Sequence, residues 1–264
     1  MNKSKKQFIF AAIMMAVLCI SYYGCGTDTT TNTTPSTPPS IRMKQGSTYD
    51  FTYDSLTTSQ TIRLPRKSHD VVQSQVVFSG KTCFPVISTT TDTVTHNLFS
   101  TDTSYYSYDS SGGKFYQYGI SKLINPAFGT ATWDLVADFT VAQGTSWTVG
   151  TVNYIVNIGG MPYTFTGPLT SKVAEKTTIQ TTSNPSVSID CYRCELYAHI
   201  VSSGTITVSA DVYVEYYIGY ASTAANPSGL VEVKLMPFAF VAGGSTLVTE
   251  PGDDRKLQSF TIAP

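Results

Sequence analysis

Cys25 is the residue whose neighbours point most directly to a chemical modification. Gly24, directly before it, is small enough to sit in the site of a signal peptidase just ahead of the cut. The Cys25 thiol can then take a diacylglycerol and the new amino terminus a further acyl chain, and two or more chains anchor a protein stably in a membrane. We predict that Cys25 is a lipid anchor. The alternative is simple secretion, with the thiol free or in a disulfide bond.

The residues before Cys25 have the organisation of a secretory signal peptide. A basic start is followed by an apolar run, Phe8–Ile20, that is shorter than the roughly 20 residues a membrane-spanning helix needs. We predict that residues 1–24 are a signal peptide. The junction resembles the lipobox of bacterial lipoproteins. It departs from that motif at Tyr22 and Tyr23, where an aliphatic and then a small residue are preferred.

Residues 25–40 differ in composition from the rest of the chain, because after the cysteine they consist mostly of Thr, Ser, Asn and Pro. Such a segment cannot bury enough apolar surface to offset the entropy lost on ordering it. Its prolines favour extended polyproline geometry. We predict a disordered tether over 25–40 that lifts a single domain, residues 41–264, off a membrane.

Three further cysteines fall within the predicted domain, and two of them have the spacing of a redox or zinc motif. Cys191 and Cys194 are separated by two residues, but the flanking sequence predicts a strand, whereas redox motifs of this kind open a helix. The sequence has no second such pair to complete a zinc site. Alternation along the strand places Cys194 on the core side. We predict a disulfide from Cys83 to Cys194, with Cys191 as the alternative partner, and no metal or cofactor.

Residues for acid–base or nucleophilic catalysis are few and dispersed. The sequence contains no GxSxG, HExxH, P-loop or GxGxxG motif. Its histidines are interpreted as solvated residues: His69 in a basic, proline-flanked loop, His96 after a Thr-rich stretch, and His199 on the outward side of a strand. The chain lacks clustered titratable groups that could be tuned toward a neutral pKa. We predict that it is not an enzyme, and a hydrolase is the least favoured function.

The tyrosines form the pattern most typical of a ligand site. A predicted hairpin and a later strand present them at alternating positions, so that each pair shares one face of its strand. These residues are Tyr106, Tyr108, Tyr116, Tyr118, Tyr216 and Tyr220. Tyrosine has an apolar ring and a polar tip, which suits a concave surface that binds an amphipathic ligand. The alternative interpretation is a cross-strand ladder of tyrosines that covers the sheet.

Net charge and its distribution argue against one class of partner. The chain has a formal net charge of -1, only 13% of its residues are charged, and no run of Lys or Arg follows Lys6. Nucleic-acid binding depends on neutralising phosphates with such residues. We therefore expect no nucleic-acid partner. The expected partners are the membrane, through the anchor, and either an apolar ligand or another envelope protein.

Hydrophobic periodicity after the tether is that of strands. Apolar and polar residues alternate along Val212–Tyr220 and Val231–Leu235, and turn signals recur at short intervals. Connections this short require antiparallel neighbours. One brief helical turn is predicted over 121–125. Because the strands after Ser171 are long, we predict an all-β domain formed by a large curved antiparallel meander or half-open barrel, with a β-sandwich as the alternative.

Three short motifs carry a resemblance. Tyr216–Tyr220, Gly229–Glu232 and Gly144–Trp147 are similar to elements found in uncharacterised exported bacterial lipoproteins. Those proteins look like relatives of the curved antiparallel half-barrel of Lol-type lipoprotein carriers. The chain departs from them by inserting Ala221–Pro227. The resemblance implies a fold and an envelope location, and it brings no activity with it.

Together these features predict a lipid-anchored protein of the cell envelope. Gly26 follows the cysteine in place of the Asp that retains some lipoproteins in the inner membrane, which favours the outer membrane. The first functional hypothesis is binding of an apolar or amphipathic ligand on a concave, tyrosine-lined sheet. The alternative is a structural or interaction protein that binds another protein or a glycan.

Overall fold

The computed structural model describes residues 38–119, 132–158, 160–203, 206–221, 223 and 226–264. The signal peptide, Cys25 and the helical turn predicted over 121–125 lie outside these residues. The regular elements described are all β-strands, as the sequence predicts. They are β1 (Thr48–Leu56), β2 (Thr61–Val72), β3 (Val76–Phe78), β4 (Lys81–Asp92), β5 (Leu98–Asp109), β6 (Lys114–Tyr118), β7 (Trp133–Asp138), β8 (Ser146–Ile158), β9 (Met161–Gln180), β10 (Ser188–Ser202), β11 (Val208–Gly219), β12 (Gly229–Leu235), β13 (Phe238–Ala242), β14 (Ser245–Glu250) and β15 (Gly252–Thr261).

The strand β11 shows why the alternating segments fold as they do. Ala210, Val212 and Val214 are buried, whereas Asp211 and Tyr213 between them are exposed. Successive side chains of a strand point to opposite faces, so this alternation gives the strand one core face and one solvent face. Its β-branched and aromatic side chains fit a pleated surface that is buried on one side.

Twelve strands follow one another in one antiparallel sheet, in the order β7-β6-β5-β4-β2-β1-β15-β12-β11-β10-β9-β8. β7 and β8, at the two ends of this order, contact each other, so the sheet curls into a nearly closed barrel. Side chains bridge β7 to β8 and β9: Trp147 Nε1 donates to the Leu135 carbonyl at 3.0 Å, and Ser171 Oγ donates to that of Val136 at 2.6 Å. The predicted all-β, curved antiparallel sheet is confirmed, and it forms a barrel rather than a sandwich.

One segment interpreted as a loop is a strand. His69 and Pro65 lie within β2, which pairs with β1 on one side and β4 on the other. The pairing of β1 with β2 shifts opposite Tyr53, so that Pro65 falls where the ladder is interrupted. Proline has no backbone N–H and is tolerated in a sheet at such irregularities. A proline-flanked sequence therefore concealed a twelve-residue strand.

Large side chains fill the inside of the barrel. The rings of Phe139 and Tyr192 lie 4.8 Å apart between centroids, and those of Phe165 and Phe240 also lie 4.8 Å apart. All four side chains are almost completely buried. Each buried ring of this size contributes roughly 1.5–3 kcal/mol relative to an exposed one. In the described residues the interior is therefore a packed core.

Antiparallel pairing gives the barrel two distinct ends. The hairpins that join β1 to β2, β4 to β5, β8 to β9 and β13 to β14 turn at one end, which we call the distal rim, and β10 ends and β11 begins there. The opposite end, where the described chain begins, we call the tether end. Residues 38–44, which we call the strap, cross it. Ala221 N donates to Ser40 O at 2.8 Å, and Arg42 N donates to Ser228 Oγ at 2.8 Å.

Candidate functional site

The six tyrosines predicted to form a binding surface occupy different places. Antiparallel pairing of β5 with β6 sets Tyr116 opposite Ser107 and not opposite Tyr106 or Tyr108. Directly paired residues share one face of a sheet. Tyr116 and Tyr118 therefore lie on the face opposite to that of Tyr106 and Tyr108. The structure does not bring the six residues together as one surface.

Tyr106 and Tyr216 are part of the core. Their side chains are only 6% and 4% exposed, and the Tyr106 ring stacks on that of Phe115 at 5.9 Å between centroids. Burial raises the pKa of both hydroxyls above the usual value. These two residues support the barrel from within, as expected of tyrosines that cover a sheet.

Tyr108 and Tyr220 lie at the tether end, on either side of two buried rings. The ring centroids are 6.4 Å apart for Tyr108 and Phe139, 4.8 Å for Phe139 and Tyr192, and 5.3 Å for Tyr192 and Tyr220. The Tyr108 hydroxyl donates to the carbonyl of Pro39 in the strap at 2.5 Å, and burial raises its pKa to about 12. Part of the aromatic surface predicted to hold a ligand thus holds the protein's own strap.

Tyr116 and Tyr118 belong to the outer face of the barrel. The Lys81 ammonium lies 3.8 Å from the centre of the Tyr116 ring, and the Tyr118 ring packs edge-on against Trp133 at 5.3 Å. The turn between β3 and β4 closes over this cluster, since Trp133 Nε1 donates to the Phe78 carbonyl at 3.2 Å. The cluster is a small second core beneath a hairpin.

A buried ion pair beneath the strap was missed by sequence reasoning. Arg255 Nη2 lies 2.5 Å from Asp70 Oδ2, and the guanidinium stacks over the Phe51 ring at 3.8 Å and bonds Tyr53. Burial alone would lower the pKa of Arg255, but the charge and hydrogen bond of Asp70, together with the nearby hydroxyls of Tyr53 and Tyr106, outweigh it and keep that pKa above its ordinary value. No motif in the sequence indicates this pair, because Asp70 and Arg255 are 185 residues apart. They meet only because β15 and β2 both pair with β1.

A cavity of about 20 Å³ adjoins this ion pair. Met43 of the strap, Tyr49, Asp70, Ser228 and Arg255 are among the residues that line it. Asp70 Oδ1 is buried there without a hydrogen-bond partner among the described residues. The volume suits about one water molecule, whereas sites for drug-sized molecules measure several hundred Å³.

Charged side chains form a belt on the outer face of seven strands that are adjacent in the sheet, from β2 to β9. Arg193 is its centre, since the guanidinium lies 2.9 Å from Glu175, 2.6 Å from Glu195 and 3.0 Å from Glu215. The belt consists of Arg63, Asp54, Asp254, Lys256, Glu232, Lys234, Glu215, Arg193, Glu195, Lys172 and Glu175. Alternation in the sequence indicates which side chains point outward, but their partners depend on strand register.

Glu232 differs from the other carboxyls of the belt. Burial, and then the charge of Asp254, raise its pKa from 4.5 to about 7, against the opposing effects of Lys256 and Lys234. Asp254 itself is only 1% exposed. Glu232 can therefore take up or release a proton near neutral pH, on the convex outer face of the barrel.

The predicted disulfide is corrected by the structure. Cys83, Cys191 and Cys194 are all free and buried, so neither Cys83–Cys194 nor Cys83–Cys191 is formed. Cys83 lies on β4 and the other two on β10, and five strands separate β4 from β10 in the sheet. Cys194 faces the core as predicted. Burial raises the pKa of all three thiols, to about 12 for Cys191, which makes them unreactive.

The described histidines are surface residues. His69 Nδ1 lies 2.7 Å from Asp50 Oδ1, and His199 Nδ1 lies 2.8 Å from Asp211 Oδ1, with each imidazole about half exposed. His96 occupies the turn between β4 and β5 with a positive φ of 59°. Within the described ranges, no group of three or more His, Cys, Asp or Glu side chains is placed to hold a metal ion.

Exposed apolar side chains concentrate at the distal rim. Twelve large apolar side chains are exposed among the described residues, and eight of them lie at or beside the rim hairpins. These are Ile62, Val94, Leu98, Phe99, Ile155, Met161, Ile206 and Leu247. Single exposed apolar residues are ordinary, but their concentration at one end typically marks an interaction surface.

Comparisons with known proteins give two solved structures with a low overall similarity to this chain. Neither a family model nor a curated protein matches it. A protein from Parabacteroides distasonis assigned as a lipoprotein has a TM-score of 0.46 and 9% identity, over 86% of this chain and 100% of its own. A protein from Bacteroides fragilis assigned as exported, with a YmcC-like fold, has a TM-score of 0.40 and 8% identity, over 85% and 100%. The resemblance to Lol-type carriers stays a prediction. Among the described residues, no helix is long and apolar enough to cross a membrane.

Proposed function

We propose that this chain is a lipid-anchored protein of the cell envelope that binds a partner protein through its distal rim. The support for the anchor is the sequence pattern of a signal peptide, Gly24 and Cys25. Gly26 supports the outer membrane as its location. The observation that carries the binding role is the concentration of exposed apolar side chains at the rim.

The two ends of the barrel support this arrangement. The chain that leads back to Cys25 enters at the tether end, where the strap is held by Tyr108 and Ser228. The rim is the opposite end of the same barrel. A protein anchored through Cys25 therefore presents the rim away from the point where its tether enters, where a partner can approach it.

The rim residues have the chemistry of a protein interface. Leu98 and Phe99 are 64% and 59% exposed, and the Arg66 guanidinium lies 4.1 Å from the centre of the Phe99 ring. Aromatic rings and arginine are enriched where protein interfaces carry most of their binding energy. Burying such side chains against a partner is worth about 25 cal/mol per Å² before the costs of association.

The other binding hypotheses have less support. A ligand on the concave sheet would need the space that Tyr106, Tyr216 and the surrounding core occupy. A glycan stacked on the outer rings would need to displace the β3–β4 turn, which is bonded to Trp133. We also propose a binding role in preference to a catalytic one, because the His69 and His199 pairs lie on open strand faces.

Site-specific photo-crosslinking in intact cells tests the proposal. A photoreactive amino acid is placed at Leu98 or at Met161, on two different strands of the rim, and at Val77 as a control, since Val77 is 78% exposed but lies on β3. Both rim positions should give an adduct with the same protein, and Val77 should not.

Two further variants make the outcome specific. Changing both Leu98 and Phe99 to Ser should abolish the adduct formed from Met161 while the far-ultraviolet circular dichroism stays unchanged. Cys25→Ala should release the protein from the membrane, which tests the anchor separately from the rim. No adduct from either rim position, or the same adduct from Val77, would overturn the rim as the binding surface.

A further inference from the structure

The strap is held at the tether end in the manner of a bound peptide. Along it, Pro39 and Ile41 are buried whereas Arg42 and Lys44 are exposed, so alternate side chains face the barrel. The barrel bonds its backbone at three residues: Tyr108 Oη donates to Pro39 O, Ala221 N donates to Ser40 O, and Arg42 N donates to Ser228 Oγ. Main-chain bonds with pockets for alternate side chains are how proteins recognise extended peptides.

The strap is not part of the sheet. None of its residues belongs to a strand in the described chain, and it precedes β1 by the turn at Gln45 and Gly46. It can therefore leave the tether end without breaking any strand pairing.

One position of the strap fits its surroundings incompletely. Met43 lines the 20 Å³ cavity together with Asp70, and Asp70 is only 6% exposed with Oδ1 unbonded among the described residues. A thioether cannot donate a hydrogen bond to that oxygen. Arg255 already neutralises the carboxylate through Oδ2, so a second cation would meet repulsion from the guanidinium. A neutral donor is the group that the strap does not supply at the position of Met43.

We propose that the tether end is a binding site for an extended peptide segment of a partner protein, and that the strap is its resident occupant. The preferred segment has apolar residues in the places of Pro39 and Ile41 and a neutral hydrogen-bond donor, such as Gln, in the place of Met43. Gln is close to Met in length, and Met43 and Asp70 line the same cavity, so we expect an amide in this place to donate to Asp70 Oδ1. This site is independent of the rim.

Displacement of the strap in the intact chain tests the proposal. Because the strap is covalently attached, it competes with any added peptide at a high effective concentration. Ile41→Ser weakens the strap's own binding so that an added peptide can replace it. A fluorescent dye is attached at Arg42→Cys, an exposed position, under native conditions in which the buried Cys83, Cys191 and Cys194 do not react. The probes are synthetic peptides of residues 36–47 with the natural sequence, with M43Q, or with R42A.

Peptide binding should release the labelled strap and lower the dye's anisotropy. The M43Q peptide should reach half-effect at roughly tenfold lower concentration than the natural peptide, because it gains one hydrogen bond to a buried charged acceptor. The R42A peptide should match the natural one. No displacement by any peptide up to about 1 mM, the range of effective concentrations for attached segments, would overturn the site. Equal potency of the M43Q and natural peptides would overturn the donor preference.

A second measurement does not depend on the loosened variant. In the otherwise natural chain, Met43→Gln should raise the midpoint of thermal unfolding, whereas Met43→Leu, of similar volume and without a donor, should not. If Met43→Gln proves no more stable than Met43→Leu, the unbonded oxygen of Asp70 does not select the occupant, and the proposed donor preference is wrong.

Discussion

Apolar side chains are buried at the tether end of this barrel and exposed at its distal rim. At the tether end Ile41 is 7% exposed and is packed into the core by the strap. At the rim Ile206 is 57% exposed, and Leu98 and Met161 are exposed to a similar degree. The same residue type thus serves stability at one end and is free to contact a partner at the other.

The contrast extends to polar groups. Beneath the strap, Arg255 and Asp70 are largely shielded from water and hold each other in place. Hydrogen-bonded pairs on the outer strand faces, such as that of His69 with Asp50, are open to solvent. A buried pair depends on both partners, because a charge left alone in the core is costly, whereas an exposed ion can be solvated again. We therefore expect the loss of stability on substitution to depend on how deeply a side chain is buried rather than on its residue type.

Removal of Asp70 should have the largest effect. Asp70→Ala leaves the Arg255 guanidinium shielded and unpaired, and we expect a loss of about 3–5 kcal/mol in the free energy of unfolding. Urea denaturation followed by circular dichroism measures it. The matched control is Asp50→Ala, which removes partly exposed hydrogen bonds to His69 and Ser259 and should cost at most about 1 kcal/mol. Comparable losses for the two variants would remove the distinction between the buried and the exposed pair.

Truncation of one isoleucine at each end compares the two regions directly. Ile41→Ala removes buried methyl groups from beneath the strap and should lower the free energy of unfolding by about 2–3 kcal/mol. Ile206→Ala removes the same atoms from an exposed position and should change it by no more than about 0.5 kcal/mol. Thermal and urea unfolding of both variants give the comparison. A loss at Ile206 as large as that at Ile41 would mean that the rim is part of the fold's own packing.

The all-β architecture could be predicted because alternation of apolar and polar residues along a strand can be recognised within a few consecutive residues. The alternation along β11 and the short turns between strands are enough to specify an antiparallel all-β domain. What pattern could not supply is register. The register of β5 and β6 sets Tyr116 opposite Ser107, and this places two of the six tyrosines on the outer face. A register shifted by one residue would have set Tyr116 opposite Tyr106 or Tyr108 and on their face.

The candidate sites depend on contacts between distant parts of the chain, and these leave little trace in a single sequence. Arg255 appears in the sequence as an ordinary basic residue of a strand, and only the pairing of β15 and β2 with β1 brings it to Asp70. The first three residues of the strap fall in the predicted disordered spacer, because Pro38, Pro39 and Ser40 continue the composition of the tether. The burial of the strap depends on Tyr108 and Ser228, which come from two different parts of the barrel.

The charged belt lies between the two ends, and substitution there should have the smallest effect on stability, one that depends on pH. The pKa of Glu232 is about 7 in the folded protein against an ordinary value of 4.5, so the folded state binds more protons than the unfolded state between these values. The free energy of unfolding must then fall as pH rises from about 4.5 through about 7, and stay level above that. The neutral side chain of Glu232→Gln escapes this loss. At pH 8 the variant should be more stable than the natural protein by on the order of 2 kcal/mol, since Glu232 is only partly shielded, and the gap should close by pH 5.

Glu175→Gln, on the same belt but with its side chain 54% exposed, is the control and should show no such pH dependence. A gap for Glu232→Gln that does not change between pH 5 and pH 8 would show that proton binding at Glu232 is not linked to folding, and that the belt behaves like any exposed set of charges.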